Sequence, residues 1–226
     1  YCLEGDAERV ALLQEFVGYC LQPDCHYQRF LALEGRGSDG KSVILAAITA
    51  MAGRQNVSKV LIDYFGESAY LPSMVGKMIN VSADSGDSIR TVAEGTLKLI
   101  TDGDPIVINE KYARAFTARI NAKLICSWNM RPRITDRSDS VWRRMLLIPF
   151  FRTIPESKKI LGMSTPEWWL NQGEAPGILC WAIRGLHRLN QQHRFTIPKL
   201  MREALAEYKL EANPAADFLQ DYLAYD

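Results

Sequence analysis

RFLALEGRGSDGKSVILAAITAMAG, residues 29–53, is the stretch that decides the expected fold. Residues 29–35 are a short apolar run that predicts a buried strand, and residues 41–53 predict a helix with Gly53 as its C-terminal cap. Between them, Gly35 to Ser42 match G-x-x-x-x-G-K-[ST] at every fixed position. A strand, this loop and a helix in that order predict a phosphate-binding loop, called the P-loop below.

The residue types of the P-loop fit a polyphosphate. Glycines let backbone N–H groups turn toward phosphate oxygens, and the start of the following helix adds positive potential. Lys41 would reach the β- and γ-phosphates of ATP, and the Ser42 hydroxyl would bind Mg²⁺, so both are expected cofactors. The candidate nucleotide-binding residues are Gly35, Gly37, Ser38, Asp39, Gly40, Lys41, Ser42 and Val43.

Polar residues end two further apolar segments. Asp84 closes KMINVSAD (77–84) and is the expected acidic partner of the metal and of catalysis, with Asp87 as the alternative. Asn129 closes AKLICSWN (122–129), where a neutral amide can orient the attacking water or contact the γ-phosphate. An asparagine at a strand end is also a common turn residue, so this assignment depends on its place in the series.

The rest of the pattern predicts an α/β protein. Strands alternate with helices over the first 150 residues, which predicts a mostly parallel sheet. Residues 107–109 and 115–118 are expected to pair as a hairpin around a polar tip. We expect an N-terminal helical segment (1–28), a P-loop core (29–152) and a mostly helical C-terminal subdomain (153–226). Within these, residues 7–22 and 88–101 predict helices, 57–65 is ambiguous, and 141–150 predicts a strand.

Residues 109–152 are markedly basic. They contain ten Lys or Arg against three Asp or Glu, while the whole chain has a net charge of only +1. This concentration suits the phosphates of a nucleic acid or of a neighbouring subunit's nucleotide, although charge runs are usually solvated faces. Lys111, Tyr112 and Arg114 cluster at the hairpin tip, where the aromatic ring could stack on a base. Arg143 and Arg144 precede an apolar strand, where a charge needs a partner.

The bulk composition limits the class of protein. With 47% hydrophobic and 23% charged residues the chain fits an ordinary globular protein, and its small net charge argues against coating of duplex DNA. Five irregularly spaced cysteines predict no disulfide framework, so a reducing cytoplasm is expected. No apolar run reaches the roughly 18 residues of a membrane span, so no membrane partner is expected. Because the chain begins at Tyr1, we expect it to be part of a longer polypeptide.

The order of motifs resembles the helicase domain of phage and plasmid primase-helicases, a group within superfamily 3 that includes poxvirus primase-helicases. The resemblance covers nearly the whole chain, and its later motifs are more specific than the P-loop alone. The matching segments are EFVGYCL (15–21), GRGSDGKS (35–42), GKMINVSAD (76–84), LKLITDGDPI (97–106), AKLICSWNMRPRITD (122–136), VWRRMLLIPF (141–150) and EAPGILCWAIRGL (174–186).

This resemblance implies a modified AAA+ P-loop NTPase core that assembles as a hexameric ring around single-stranded DNA. Lys41 and Ser42 match the Walker A pair, Asp84 the Walker B acid and Asn129 the sensor asparagine. The resemblance also implies that Lys98 belongs to a DNA-linked motif, that the region around Lys111 is the pore hairpin, and that Arg144 is an arginine finger. Arg143 is the alternative finger.

Two positions depart from the family pattern. Many relatives carry Glu at the position of Asp84, which leaves open whether the shorter side chain activates water or only serves the metal. Relatives commonly carry Asn at the position of Asp39, and the extra negative charge is expected to weaken nucleotide binding slightly. No primase catalytic segment is visible, so a primase domain is expected outside this chain.

Three functions remain open on the sequence. The first is a replicative DNA helicase driven by ATP hydrolysis, with 3′ to 5′ movement implied only by the family. The second is a nucleotide-gated DNA-binding or origin-assembly module with slow ATP hydrolysis. The third, a P-loop kinase for a small molecule, explains neither the basic hairpin nor the position of Arg144.

Overall fold

The computed structural model describes residues 2–83, 91–109, 114–135 and 139–212. In these ranges the strands are β1 (Phe30–Gly35), β2 (Val57–Ser58), β3 (Ile79–Ala83), β4 (Pro105–Ile108), β5 (Phe116–Arg119), β6 (Lys123–Trp128) and β7 (Met145–Phe150). The α-helices are α1 (Ala7–Tyr19), α2 (Lys41–Ala52), α3 (Thr91–Asp102), α4 (Pro166–Asn171), α5 (Ala175–Gln192) and α6 (Lys199–Ala212).

A five-stranded parallel sheet forms the centre of the molecule, in the order β2-β3-β6-β1-β7. Every residue of β6 and β7 is buried, as expected for parallel strands covered on both faces. Glu34 of β1 is in register with Trp128 of β6 and Pro149 of β7, so these three strands end at the same edge. The predicted α/β fold with a parallel sheet is confirmed, and this edge carries the P-loop.

Helices α1 and α5 touch through two glycines. A Cβ on Gly18 would lie 2.4 Å from the backbone N of Leu186, and one on Gly185 would lie 2.2 Å from the carbonyl of Gln14. The fully buried carboxylate of Glu15 accepts hydrogen bonds from Arg188, Gln192 and Thr196. The first helix therefore packs directly on a helix of the C-terminal third. The division into three domains stays a prediction.

The predicted hairpin is present as antiparallel β4 and β5, with Ile108 opposite Phe116. Within the hairpin, Ile106 and Ile108 of β4 are buried, whereas Val107 is 60% and Phe116 is 40% exposed. Residues 110–113 at the tip lie outside the described residues. The hairpin is thus anchored through the face that carries Ile106 and Ile108, and Val107 lies on the opposite, exposed face.

Local hydrogen bonds explain where the observed elements differ from the predicted ones. β2 has only two residues, and a 3₁₀ helix follows at Ile62–Gly66. The Asn80 side chain bonds both backbone groups of Val60 (2.9 and 2.8 Å), and the Ser82 hydroxyl accepts from the N–H of Ile62 (2.8 Å). These side chains replace a longer strand ladder.

Two further boundaries differ, and one predicted helix is outside the described part. A 3₁₀ turn, Trp142–Arg144, precedes β7, and α1 ends at Tyr19 instead of continuing to residue 22. The helix predicted at 88–101 is observed as α3 from Thr91 onward, and residues 88–90 lie outside the described residues. The helix predicted at 216–225 lies outside the described residues. In the described part of the chain, no helix has the length and apolar character needed to cross a membrane.

Candidate functional site

The P-loop connects β1 to α2 through three residues with left-handed backbone conformation. The φ angles of Gly37, Ser38 and Gly40 are 96°, 50° and 98°. A Cβ on Gly40 would also lie 2.4 Å from the Cys2 sulfur, so both backbone and packing require glycine there. The strained Ser38 is held by Ile154, whose N–H donates to the Ser38 carbonyl at 2.7 Å.

Lys41 and Asn129 meet at the loop, and their catalytic roles stay predictions. The Lys41 Nζ donates to the Gly35 carbonyl at 3.0 Å and to the Asn129 Oδ1 at 3.1 Å. Asn129 can reach the P-loop because it follows β6, the neighbour of β1 in the sheet. Lys41 is only 4% exposed, so its ammonium group is directed into the loop and away from bulk solvent.

The Asp39 carboxylate lies inside the same loop. Its Oδ2 accepts from the N–H of Gly37 at 3.2 Å, and its Oδ1 accepts from the N–H of Lys41 at 3.2 Å. The Lys41 ammonium also donates to Oδ2 and forms an ion pair with it. Asp39 is 4% exposed. The sequence placed this charge near the phosphates, but the structure places it among the loop's own donors.

Ser42 is exposed in the first turn of α2, and Val43 is half-buried beside it. β3 ends at Ala83, which is in register with Ser127 of β6, so this strand also ends at the P-loop edge. Asp84, Asp87, Lys111 and Tyr112 lie outside the described residues, and their assigned roles stay predictions. Among the described residues, no group of three or more His, Cys, Asp or Glu side chains could hold a metal ion.

A cavity of about 560 Å³ opens beside the P-loop, formed with the segment that follows β7. It is lined on the apolar side by Val43, Ile154 and Met163, and its cations are Lys158 and Lys159. Lys159 also donates to the Ser38 hydroxyl at 3.1 Å. Sequence reasoning missed these residues, because the chain path after β7 brings them to the loop and no motif marks them.

A second cavity, of about 730 Å³, lies between the P-loop edge and α6. Arg131 crosses it and forms ion pairs with Glu34 (2.8 Å), Glu207 (3.1 Å) and Glu211 (2.8 Å). Burial alone would lower the pKa of Arg131, but its hydrogen bonds and ion pairs with Glu211, Glu34 and Glu207 together raise that pKa. Burial raises the pKa of Glu34 in spite of this ion pair. Arg131 thereby connects α6 to the end of β1.

Arg144, the predicted finger, is held within its own chain. Its guanidinium donates to both oxygens of Asp102, at 2.7 and 2.5 Å from Nη2, and to the Ser140 carbonyl at 2.6 Å. Arg144 is 4% exposed, whereas Arg143 is an exposed residue. Action on a neighbouring nucleotide would therefore require Arg144 to leave Asp102.

Several described cations of the basic segment bind groups of the same chain. Arg119 donates to the Gly103 carbonyl at 2.7 Å, and buried Lys123 donates to the Gln22 carbonyl at 3.0 Å. Arg131 and Arg144 are committed to the carboxylates described above. Of the DNA-binding candidates in the described part, Arg114 is exposed beside the hairpin and Lys98 is half-buried on α3.

The geometry defines an α/β protein in which a loop with the P-loop sequence pattern lies at the edge of a parallel sheet. A family model described as a family of unknown function (DUF5906) matches residues 33–144. A protein of Acanthamoeba polyphaga mimivirus named "Putative helicase L207/L206" is 24% identical, over 90% of this chain. This chain spans 23% of that protein's length.

Solved structures show the same fold. The apo structure of the NrS-1 C terminal region (305-718) aligns with a TM-score of 0.63 and 18% identity, over 80% of this chain and 43% of that one. The A form apo structure of the same region has a TM-score of 0.59 and 16% identity, over 81% of this chain and 42% of that one. The chain is thus similar in sequence to a helicase-named viral protein and in fold to part of a larger protein.

Proposed function

We propose that this chain is the ATP-hydrolysing motor of a DNA helicase that acts in replication of the phage or plasmid type. The observation that carries the proposal is the meeting of Lys41, Asn129 and the P-loop N–H groups at one edge of a parallel sheet. The motif order supports a modified AAA+ core of superfamily 3. It also supports a hexameric ring and a primase domain outside this chain.

The residues present fit ATP and Mg²⁺. The P-loop N–H groups and Lys41 would hold the phosphates, and the exposed Ser42 hydroxyl with Asp84 would hold the metal ion. Mg²⁺, when bound, neutralises phosphate charge. Val43, Ile154 and Met163 supply an apolar cavity next to the loop that suits a nucleobase. Asn129, which accepts from Lys41, would orient a water molecule at the phosphate end of the site.

The β4–β5 hairpin is the proposed contact for single-stranded DNA. Arg114 is exposed beside the tip, and the arms carry two exposed apolar side chains, Val107 on one face of the hairpin and Phe116 on the other. Cations for the backbone together with an aromatic face for the bases are the usual elements of single-strand recognition. Lys111, Tyr112 and Lys98 are further proposed DNA contacts.

A second candidate function is a nucleotide-gated DNA-binding or origin-assembly module with slow hydrolysis. Two observations favour it: the Asp39 carboxylate occupies the P-loop, and Arg144 is bound to Asp102. Both arrangements would have to change before rapid turnover.

The discriminating measurement is the ATP hydrolysis rate with and without single-stranded DNA, together with the particle mass. A helicase motor should show clear stimulation by DNA and a ring-sized mass, whereas a slow gate should show tight nucleotide-dependent DNA binding and little stimulation. Lys41→Ala should abolish hydrolysis, and Lys199→Ala, at an exposed position on α6, is the matched control. Hydrolysis by Lys41→Ala near the normal rate would overturn the motor proposal.

A further inference from the structure

The Asp39 carboxylate occupies the place in the P-loop where a phosphate group would be expected. Its two oxygens accept from the N–H groups of Gly37 and Lys41, each at 3.2 Å, and from the Lys41 ammonium. These backbone and ammonium donors are the type that a P-loop presents to phosphates. A carboxylate and a phosphate would therefore compete for the same hydrogen bonds.

The carboxylate is seated deeply in the loop. A Cβ on Gly35 would lie 2.1 Å from the Asp39 Oδ2, so this oxygen rests directly against the Gly35 backbone. Asp39 is 4% exposed and carries a charge that is costly to bury without partners. The hydrogen bonds and ion pair described for its side chain all come from the loop itself. The loop therefore neutralises Asp39 as it would neutralise a bound anion.

The neighbouring cavity could accept the Asp39 side chain once a phosphate displaces it from the loop. Asp39 also lines the neighbouring cavity of about 560 Å³, which contains Lys158 and Lys159. A rotation of the Asp39 side chain toward this cavity would move its carboxylate toward Lys158 and toward Lys159, which also forms an ion pair with Glu156. This movement would release the Gly37 and Lys41 donors to an incoming phosphate.

We propose that Asp39 is an internal competitor of nucleotide: its carboxylate closes the empty P-loop, and a nucleoside di- or triphosphate binds by displacing it. This inference rests on the proposed nucleotide site. Displacement requires a ligand that forms its own ion pair with Lys41 and makes further contacts that Asp39 does not make. A nucleotide does so through its base and several phosphates, whereas a small free anion has only the loop to bind.

A purely structural role for Asp39 predicts the opposite sign. If the carboxylate only braced the loop in its binding conformation, its loss would loosen the loop and weaken nucleotide binding. If the carboxylate competes, its loss strengthens binding. The direction of the change in affinity therefore separates the two roles.

The test is the ADP affinity of Asp39→Asn measured by calorimetry, with pyrophosphate as a second probe for the loop alone. The neutral amide keeps the shape of the side chain but not its charge, so ADP should bind about tenfold more tightly than to the unchanged protein. Pyrophosphate affinity should rise as well. The ligand-free melting temperature should fall, because buried Lys41 loses its carboxylate partner.

Asp24→Asn is the matched control, since Asp24 is an exposed carboxylate that also accepts a backbone N–H bond, from His26 at 2.9 Å. Its ADP affinity should not change. Equal or weaker ADP binding by Asp39→Asn would overturn the competitor role while leaving the nucleotide site in place. Absence of ADP binding in both the unchanged protein and the variant would overturn the site and this inference together. If Asp39→Asn does not fold, Asp39→Ser carries the same expectation.

Discussion

Two buried cations, Lys41 and Arg144, were both assigned catalytic roles, and both form an ion pair with an aspartate of the same chain. The two ion pairs differ in the other hydrogen bonds that the aspartate and the cation make. Asp39 accepts from backbone N–H groups of the P-loop, which suit an anionic ligand. Asp102 ends α3 and receives two donor atoms of the Arg144 guanidinium, while a third binds a backbone carbonyl. In the first pair the Asp39 carboxylate resembles a bound anion, and the second is a structural ion pair between Asp102 at the end of α3 and Arg144 before β7.

The strongest test of this difference is loss of the Lys41 ammonium. Lys41→Ala should reduce ATP hydrolysis by about 100-fold or more, as expected when a group that stabilises transition-state charge is removed. Steady-state phosphate release measures the effect, and circular dichroism checks that the fold is retained. If hydrolysis continues while nucleotide binding is intact, Lys41 is not the phosphate-binding lysine.

Mixed assemblies test whether Arg144 also acts on a neighbouring subunit. Subunits with Arg144→Ala and subunits with Lys41→Ala should each be inactive, but mixed rings contain some interfaces with an intact P-loop and an intact arginine. ATP hydrolysis should therefore partly return on mixing, because a finger supplied in trans contributes about 10³ to 10⁵ in rate in GTPases. Native mass spectrometry verifies the mixing. Mixed rings without recovered activity would redirect the search to the exposed Arg143.

The structural role of the Arg144–Asp102 ion pair is tested by a double-mutant cycle. Arg144→Ala should lower the free energy of unfolding by about 2 kcal/mol, less than for a fully buried pair because the Asp102 side chain is 21% exposed. Asp102→Asn combined with Arg144→Ala should cost clearly less than the sum of the single changes.

Arg143→Ala, at the exposed neighbouring position, is the control and should change stability by no more than about 0.5 kcal/mol. Urea denaturation provides all four values. Additive losses in the Asp102 and Arg144 variants would mean that the pair contributes little to the fold.

Cations at the hairpin provide the smallest expected effect, and among them Arg114 is exposed. Lys111→Ala with Arg114→Ala should weaken binding of single-stranded DNA and leave basal ATP hydrolysis largely intact. Each lost phosphate contact should flatten the slope of log K against log salt by about 0.7. Titrations at several salt concentrations measure this, with exposed Arg194→Ala for comparison. An unchanged slope would place the DNA contact on another surface.

Local pattern predicted the elements around the P-loop well, because each depends on its own sequence. The predicted strand is observed at Phe30–Gly35 and the predicted helix at Lys41–Ala52, and the hairpin expected from residues 107–109 and 115–118 is observed as β4 and β5. The meeting of Asn129 with Lys41 also followed from the parallel arrangement of the strands that precede them.

Long-range partners could not be predicted in the same way. The sequence indicated that Arg144 needed a partner beside an apolar strand, but it did not identify Asp102. The position of the Asp39 carboxylate depends on the φ angles of Gly37 and Gly40, which the motif permits without fixing the side chain. The cavity formed with Ile154 and Met163 depends on the chain path after β7.

The glycine contact between α1 and α5 has a mechanical consequence. Because Gly18 and Gly185 leave no side chains between the two backbones, neither helix can slide along the other without a collision. Arg9, also on α1, donates to the Pro149 carbonyl at 2.7 Å, which lies at the end of β7. A rotation of α5 would therefore move α1, and the hydrogen bond of Arg9 to Pro149 would carry that movement to β7, the strand beside β1. A methyl group added at either glycine would push the two helices apart at this contact and weaken that connection.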